Sequence, residues 1–201
     1  MRYLLLVILT IPLLSGAAPA SRKAPPSFIV DVDTVAKVIC SAGNMGTGFY
    51  MGDGLIMTAD HVVGNSKVCI VGGEAASVVY RDLDKDVAVM ETTNKKHRNT
   101  YSCEKYKRGQ IYYAVGWANA DKFIVKAMVG TGQNVKKIDL PPLLGTGVLR
   151  GEFYEGMSGG PVFSSSGKVI GVVNGVSLDD PTISMSREFK DTKFCAPIPK
   201  T

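Results

Sequence analysis

The feature that most constrains this chain is its rhythm of short apolar runs. "VAKVICSA", "GFYMG", "GLIMTA", "KVCIVG", "ASVVYR" and "DVAVME" follow one another between Val35 and Glu91, each rich in Val, Ile, Tyr or Met and separated by Gly, Asp or Asn. Short runs of β-branched and aromatic residues between turn-formers read as strands. No window sustains an amphipathic helix of three turns. After a polar, basic stretch at residues 92–108 comes a second series: "QIYYAVGW", "KFIVKAMVG", "GVLRGEF", "GPVFSS", "KVIGVVNGV" and "KFCAPIP". Two groups of six strands, with 22 glycines for tight turns and barrel corners, predict an all-β protein of two six-stranded antiparallel barrels. The residues themselves show no internal repeat, only the rhythm.

The expected organisation is a leader at 1–20, an entry segment at 21–27, a first barrel at 28–91, a linker at 92–108 and a second barrel at 109–201. Hydrophobic residues make up 45% and charged residues 20% of the chain, enough to bury a core and too apolar for wholesale disorder. The net charge of +5 is mild, and no dense basic stripe interleaves with aromatics, so nucleic acid is not an expected partner. Lys95-Lys96-His97-Arg98 reads as a solvated loop.

At the N-terminus, "MRYLLLVILTIPLLSGAAPA" has a basic second residue, an apolar run and an Ala18-Pro19-Ala20 site, the pattern of a secretory leader. The run is short for a bilayer span and contains Pro12. A cleaved leader is favoured over a membrane tether through residues 3–14, and both place the chain in an oxidising compartment, secreted or tethered. Cys40, Cys69, Cys103 and Cys195 fit that compartment. They allow three pairings, of which Cys40 with Cys69 is preferred because both lie on strands of the same half. No Cys/His cluster has metal-ligand spacing, so no metal site is expected.

Three places carry residues suited to chemistry. His61 stands in "GLIMTADHVVG", on the turn leaving an apolar strand, whereas His97 sits in the linker. In "DLDKDVAVME", Asp82 and Asp84 fit a solvated turn, but Asp86 abuts the apolar Val87-Ala88-Val89, where a carboxylate can be aimed at an imidazole. In "EGMSGGPVF", glycines around Ser158 permit a tight turn that directs the N–H groups of Gly156 and Ser158 at one point, the donor pair an oxyanion requires.

The order His61, Asp86, Ser158 is that of the chymotrypsin-like triad. "GTGFYMGDGLIMTADHVV" resembles the stretch leading to the catalytic histidine of chymotrypsin-fold serine proteases, especially HtrA-like and compact viral members. "DKDVAVME" resembles their aspartate segment, "GMSGGPVFSSSGKVIGVVNG" their nucleophile turn and substrate-binding strand, and "FCAPIP" their closing strand. The resemblance implies an active site in the cleft between the barrels and a serine endopeptidase acting on a protein or peptide substrate, without metal or organic cofactor. It implies Ser158 as nucleophile, His61 as general base and Asp86 as its orienting carboxylate. It assigns Gly156 and Ser158 to the oxyanion hole, and Val173, Asn174 and Gly175 to the strand that pairs with substrate. Processing of a viral polyprotein is one form of this activity. The competing class is a catalytically silent binding protein on the same fold.

Met157 departs from the trypsin pattern, in which an aspartate before the nucleophile pairs with a freed N-terminal amine. The expectation is a site that does not use that switch, and "IVGGE" at residues 70–74 reads as a strand and Gly-Gly turn rather than an activation site. Glu152, six residues before Ser158, is a candidate for the primary specificity pocket. Phe153 stands where glutamine-specific viral relatives carry threonine, and an apolar pocket is the default.

Overall fold

The computed structural model describes residues 31–41, 43–93, 95, 99–118, 121–129, 146–176, 182–188 and 192–195. The leader, the entry segment and His97 lie outside the described residues. The first barrel comprises β1 (Val35–Cys40), β2 (Met45–Gly52), β3 (Leu55–Thr58), β4 (Val68–Val71), β5 (Glu74–Asp82) and β6 (Val87–Glu91). A one-turn helix, α1 (Asp60–Val63), follows β3. The second barrel comprises β7 (Ile111–Ala118), β8 (Asp121–Val129), β9 (Thr146–Arg150), β10 (Pro161–Phe163), β11 (Val169–Val176) and β12 (Ile183–Glu188).

Both sheets close antiparallel and with one topology. The first runs β1-β2-β3-β6-β5-β4 and the second β7-β8-β9-β12-β11-β10, so the repeat absent from the residues is present in the strand order. The second barrel closes more thinly, through two registered pairs between β8 and β9. Among the described residues no helix is long and apolar enough to cross a membrane.

Strands buried on both faces explain why several runs lack alternation. On β6, Ala88 and Met90 fill the first barrel, while Val87 and Val89 join Phe49, Met57, Val115, Phe163 and Val172 in a separate cluster. That cluster draws on strands of both barrels and forms the seam between them. Tyr112, Leu149, Phe153, Met157 and Val162 fill the second barrel. "IVGGE" is the end of β4, a turn with Gly72 and Gly73 at positive φ, and the start of β5.

The sixth strand of the second barrel corrects the sequence expectation. Lys193–Cys195 of "KFCAPIP" is a 3-10 turn, and residues 196–201 lie outside the described residues. The strand is "ISMSRE", β12, whose inward positions are polar. Ser184, Ser186 and Arg187 are all buried, and Ser184 and Ser186 satisfy their hydroxyls on the Gly175 carbonyl and the Tyr106 hydroxyl. With hydroxyls on its buried positions, the strand offers only Ile183 and Met185 as an apolar signal, too short an alternation to single it out.

Cys40 pairs with Cys69 and Cys103 with Cys195. The first joins facing residues of β1 and β4. The second ties the linker to the turn after β12. The linker is not wholly solvated: Asn99 is buried, donates to the Tyr50 carbonyl and accepts from the Thr34 hydroxyl.

Candidate active site

His61 is carried by α1, immediately after β3, and Asp86 by the turn that leads from β5 into β6. The turn is built by its own acids and amides. Asp82 accepts from the Lys85 N–H at 3.1 Å and pairs with its ammonium at 3.2 Å, and the Asp86 N–H donates to Leu83 O. Asp86 itself takes a left-handed φ of 51°, which aspartate tolerates better than most residues. Its carboxylate accepts the His61 main-chain N–H at 2.9 Å and meets Nδ1 at 2.9 and 3.0 Å. Holding Nδ1 in this way makes it the protonated nitrogen and leaves Nε2 free to accept a proton.

Three braces not expected from the sequence position this pair. Asp60, buried in α1 beside His61, forms a two-pronged ion pair with Arg81 of β5 at 2.6 and 2.8 Å. From the second barrel, the Asn174 amide donates to the Asp86 carboxylate and carbonyl, both at 3.0 Å. Arg187, 1% exposed, donates to Lys85 O at 3.1 Å and Asp84 O at 3.4 Å. Burial opposes a charged imidazole at His61, but the hydrogen bond and charge of Asp86, with the charge of Asp60 added, outweigh it and hold the pKa above the ordinary value.

The turn at Ser158 is fixed at alternate peptide groups. Thr47 of β2 reaches across the seam: its hydroxyl donates to Gly156 O at 2.8 Å and its N–H to Ser158 O at 2.8 Å. The N–H groups on those same two peptides are also taken, Met157 by Tyr154 O and Gly159 by Val173 O. Between them, Met157 O accepts from Gly160 N–H at 3.0 Å. The N–H groups of Gly156 and Ser158 meet no main-chain acceptor among the described residues. Gly156 has φ +93°, and a Cβ there would stand 2.6 Å from Trp117 O; Gly159 has φ +86°, and its Cβ would strike Thr47 O and Thr58 Oγ1. Both positions demand glycine. Met157 is fully buried in the second barrel's core, so burial of an apolar side chain stands where an ion pair would otherwise hold the turn.

His61, Ser158 and Gly156 line one cavity of about 440 Å³ with Lys37, Met45, Trp117 and Glu155. The Ser158 hydroxyl donates to Asn174 O at 3.4 Å. Of the residues read as substrate-binding, Asn174 has its amide committed to Asp86. Val173 spends its N–H on Gly160 O and its carbonyl on Gly159 N–H, so it supports the serine turn. Gly175 accepts from Ser184. Glu152 is exposed, within 3.5 Å of the Tyr154 hydroxyl, and does not line the cavity, whereas Glu155 does. Thr47, Asp60, Arg81 and Arg187 gave no usable sequence signal, because their partners are 20 or more residues away along the chain.

Two six-stranded antiparallel barrels of one topology, with imidazole, carboxylate and hydroxyl gathered at their seam, define a protein of the chymotrypsin-like fold. The profile of the trypsin-like peptidase domain matches residues 46–172, and the chain belongs to that family. It is 29% identical over 146 residues to the serine protease Rv3671c of Mycobacterium tuberculosis (strain H37Rv), covering 67% of this chain and 37% of that one. It is 28% identical over 167 residues to a probable periplasmic serine endoprotease DegP-like of Pseudomonas putida (strain W619), covering 78% of this chain and 33% of that one. This chain thus spans about a third of the length of these relatives. The active form of Rv3671c superposes with a TM-score of 0.66 at 23% identity, over 87% of this chain and 90% of that one. A human pathogenic astrovirus serine protease gives 0.64 at 23%, over 82% and 94%.

Proposed function

We propose that this chain is an exported serine endopeptidase in which His61, Asp86 and Ser158 form the catalytic triad. The observation that carries the reading is the seam itself: an imidazole held through Nδ1 by a carboxylate shares a cavity with a serine on a turn whose Gly156 and Ser158 N–H groups are uncommitted. In the proposed reaction Ser158 Oγ bonds to the substrate carbonyl carbon while its proton passes to His61 Nε2. The carbonyl oxygen gains the negative charge and is met by the two N–H groups. Collapse expels the amine, which takes the proton from His61, and water repeats the sequence on the acyl-enzyme. Each oxyanion donor is worth about 3–4 kcal/mol of transition-state stabilisation.

Fluorophosphonate labelling tests the proposal. Labelling of wild type that disappears in Ser158→Ala and His61→Ala, with all three folded by circular dichroism, supports it; a folded wild type that does not label leaves the binding-protein alternative. Substrate class is a narrower question for an unbiased peptide library. A single sharply defined motif fits processing of a viral polyprotein, and a broad apolar preference fits degradation of unfolded chains. Export is supported by the two disulfides, which belong to an oxidising compartment.

A further inference from the structure

Resting on that reading, we infer that Thr47 is a positioning residue for the reaction: its hydroxyl holds the Gly156 peptide, so that the oxyanion turn is assembled without an N-terminal amine. Oxyanion stabilisation requires donors fixed before the charge develops, and Met157 offers no carboxylate for an amine to hold. Glycine takes many conformations at little cost, so Gly156 keeps its φ of 93° only if the peptide beyond it is fixed. That peptide is held at both ends. Its Met157 N–H donates to Tyr154 O at 3.2 Å, and its carbonyl accepts the Thr47 hydroxyl at 2.8 Å. Tyr154 belongs to the turn and moves with it, whereas Thr47 stands on β2 in the first barrel.

The hydroxyl is the middle of a relay. It accepts the Trp117 main-chain N–H at 2.8 Å. An N–H can only donate, so the single hydroxyl proton is left for Gly156 O, and accepting one bond strengthens the other. Trp117 is itself anchored. Its indole N–H donates to Val35 O of β1 at 3.4 Å, and its carbonyl lies against Gly156, where a Cβ would stand 2.6 Å away. Thr47 is fully buried, and its main chain is fixed as well, with its N–H on Ser158 O at 2.8 Å and its carbonyl accepting from Thr58 at 2.6 Å. At Gly46, just before it, a Cβ would meet Val62 at 2.5 Å and Ser158 O at 2.9 Å. The "GTG" run is therefore what lets β2 come this close to the serine turn. Thr47 thus bonds both residues that supply the oxyanion donors.

Fluorophosphonate labelling rates of folded variants test this. Thr47→Val keeps the shape and deletes the hydroxyl. It is expected to label at least about tenfold more slowly, short of the roughly 10²–10³-fold that losing a whole donor costs. Thr47→Ser keeps the hydroxyl and loses a methyl, and is expected to melt lower yet label at the parent's rate. Thr34→Val deletes an equally buried hydroxyl, one that bonds Asn99, and should lower the melting temperature alone. Should Thr47→Val not fold, Thr47→Ala takes its place. Undiminished labelling in Thr47→Val, or the same loss in Thr47→Ser, overturns the inference. Hydrogen exchange at the Met157 N–H, read by NMR, needs no working serine and reports the peptide that Thr47 holds. It is expected to be about tenfold faster in Thr47→Val, roughly what one hydrogen bond is worth, and unchanged in Thr34→Val. A wild type that labels, with exchange unchanged in Thr47→Val, sinks only the clamp. A wild type that never labels, with exchange faster in Thr47→Val, sinks only the protease.

Discussion

At His61 the balance of burial against two carboxylates sets a pH dependence. In the proposed reaction the Ser158 proton passes to a neutral imidazole, and Asp86 and Asp60 hold the folded pKa of His61 above the ordinary 6.5. Labelling is therefore expected to rise with pH and reach half its maximum above that value. Asp86→Asn should lower the midpoint and slow labelling about 10³–10⁴-fold, because the ring loses the partner that fixes its tautomer. The stability effect runs the other way. A raised folded pKa stabilises the fold fully below the unfolded value, and that contribution is lost as pH rises through the folded one, which thermal melts across the range would register. Met157 makes a second residue-scale case. Enclosed by Phe153, Leu149 and Val162, it tolerates Leu at a cost below about 1.5 kcal/mol. Met157→Asp buries a carboxylate without a partner, and should lower both the melting temperature and the labelling rate.

Among elements, the turn before β6 depends on the other barrel. Asn174 of β11 and Arg187 of β12 together hold Asp84, Lys85 and Asp86 by five donor contacts. Arg187→Met removes the guanidinium contacts to both carbonyls; Lys85 O keeps the Asn174 amide at 3.5 Å, and leaving Asp84 O without its donor costs about 1–3 kcal/mol. The expected result is a lower melting temperature together with slower labelling of the still-folded protein at permissive temperature; a lower melting temperature with an unchanged labelling rate would confine Arg187 to a structural part. This is where sequence and structure part company. The six strands of the first barrel could be read because each carries an apolar run, filling the barrel, the seam or, as with Ile70 and Val79, an exposed face. His61, Asp86 and Ser158 could be picked out because each follows or precedes an apolar strand at a turn. β12 could not, because it buries serines on one face and an arginine on the other, and neither could Thr47, whose hydroxyl reaches Gly156 from 109 residues away.

For the molecule as a whole, the disulfides act at different depths. Cys40 and Cys69 are 4% and 2% exposed, between paired strands of a closed barrel. Cys103 is exposed and Cys195 half-buried, so a mild reductant should reach Cys103–Cys195 first, since access governs thiol exchange. That bridge closes the longer loop, with a sequence separation of 92 against 29, and chain entropy assigns it roughly 4.5 kcal/mol against roughly 3.5. Opening it frees the linker from the turn after β12 while the Thr47 clamp, the Asp60–Arg81 pair and the seam cluster remain. Partly reduced protein is therefore expected to label at Ser158 at its original rate in native buffer and to unfold at markedly lower urea. If labelling fell together with the urea midpoint, the geometry at Ser158 would depend on the linker, and the view that the seam alone holds the site would fail.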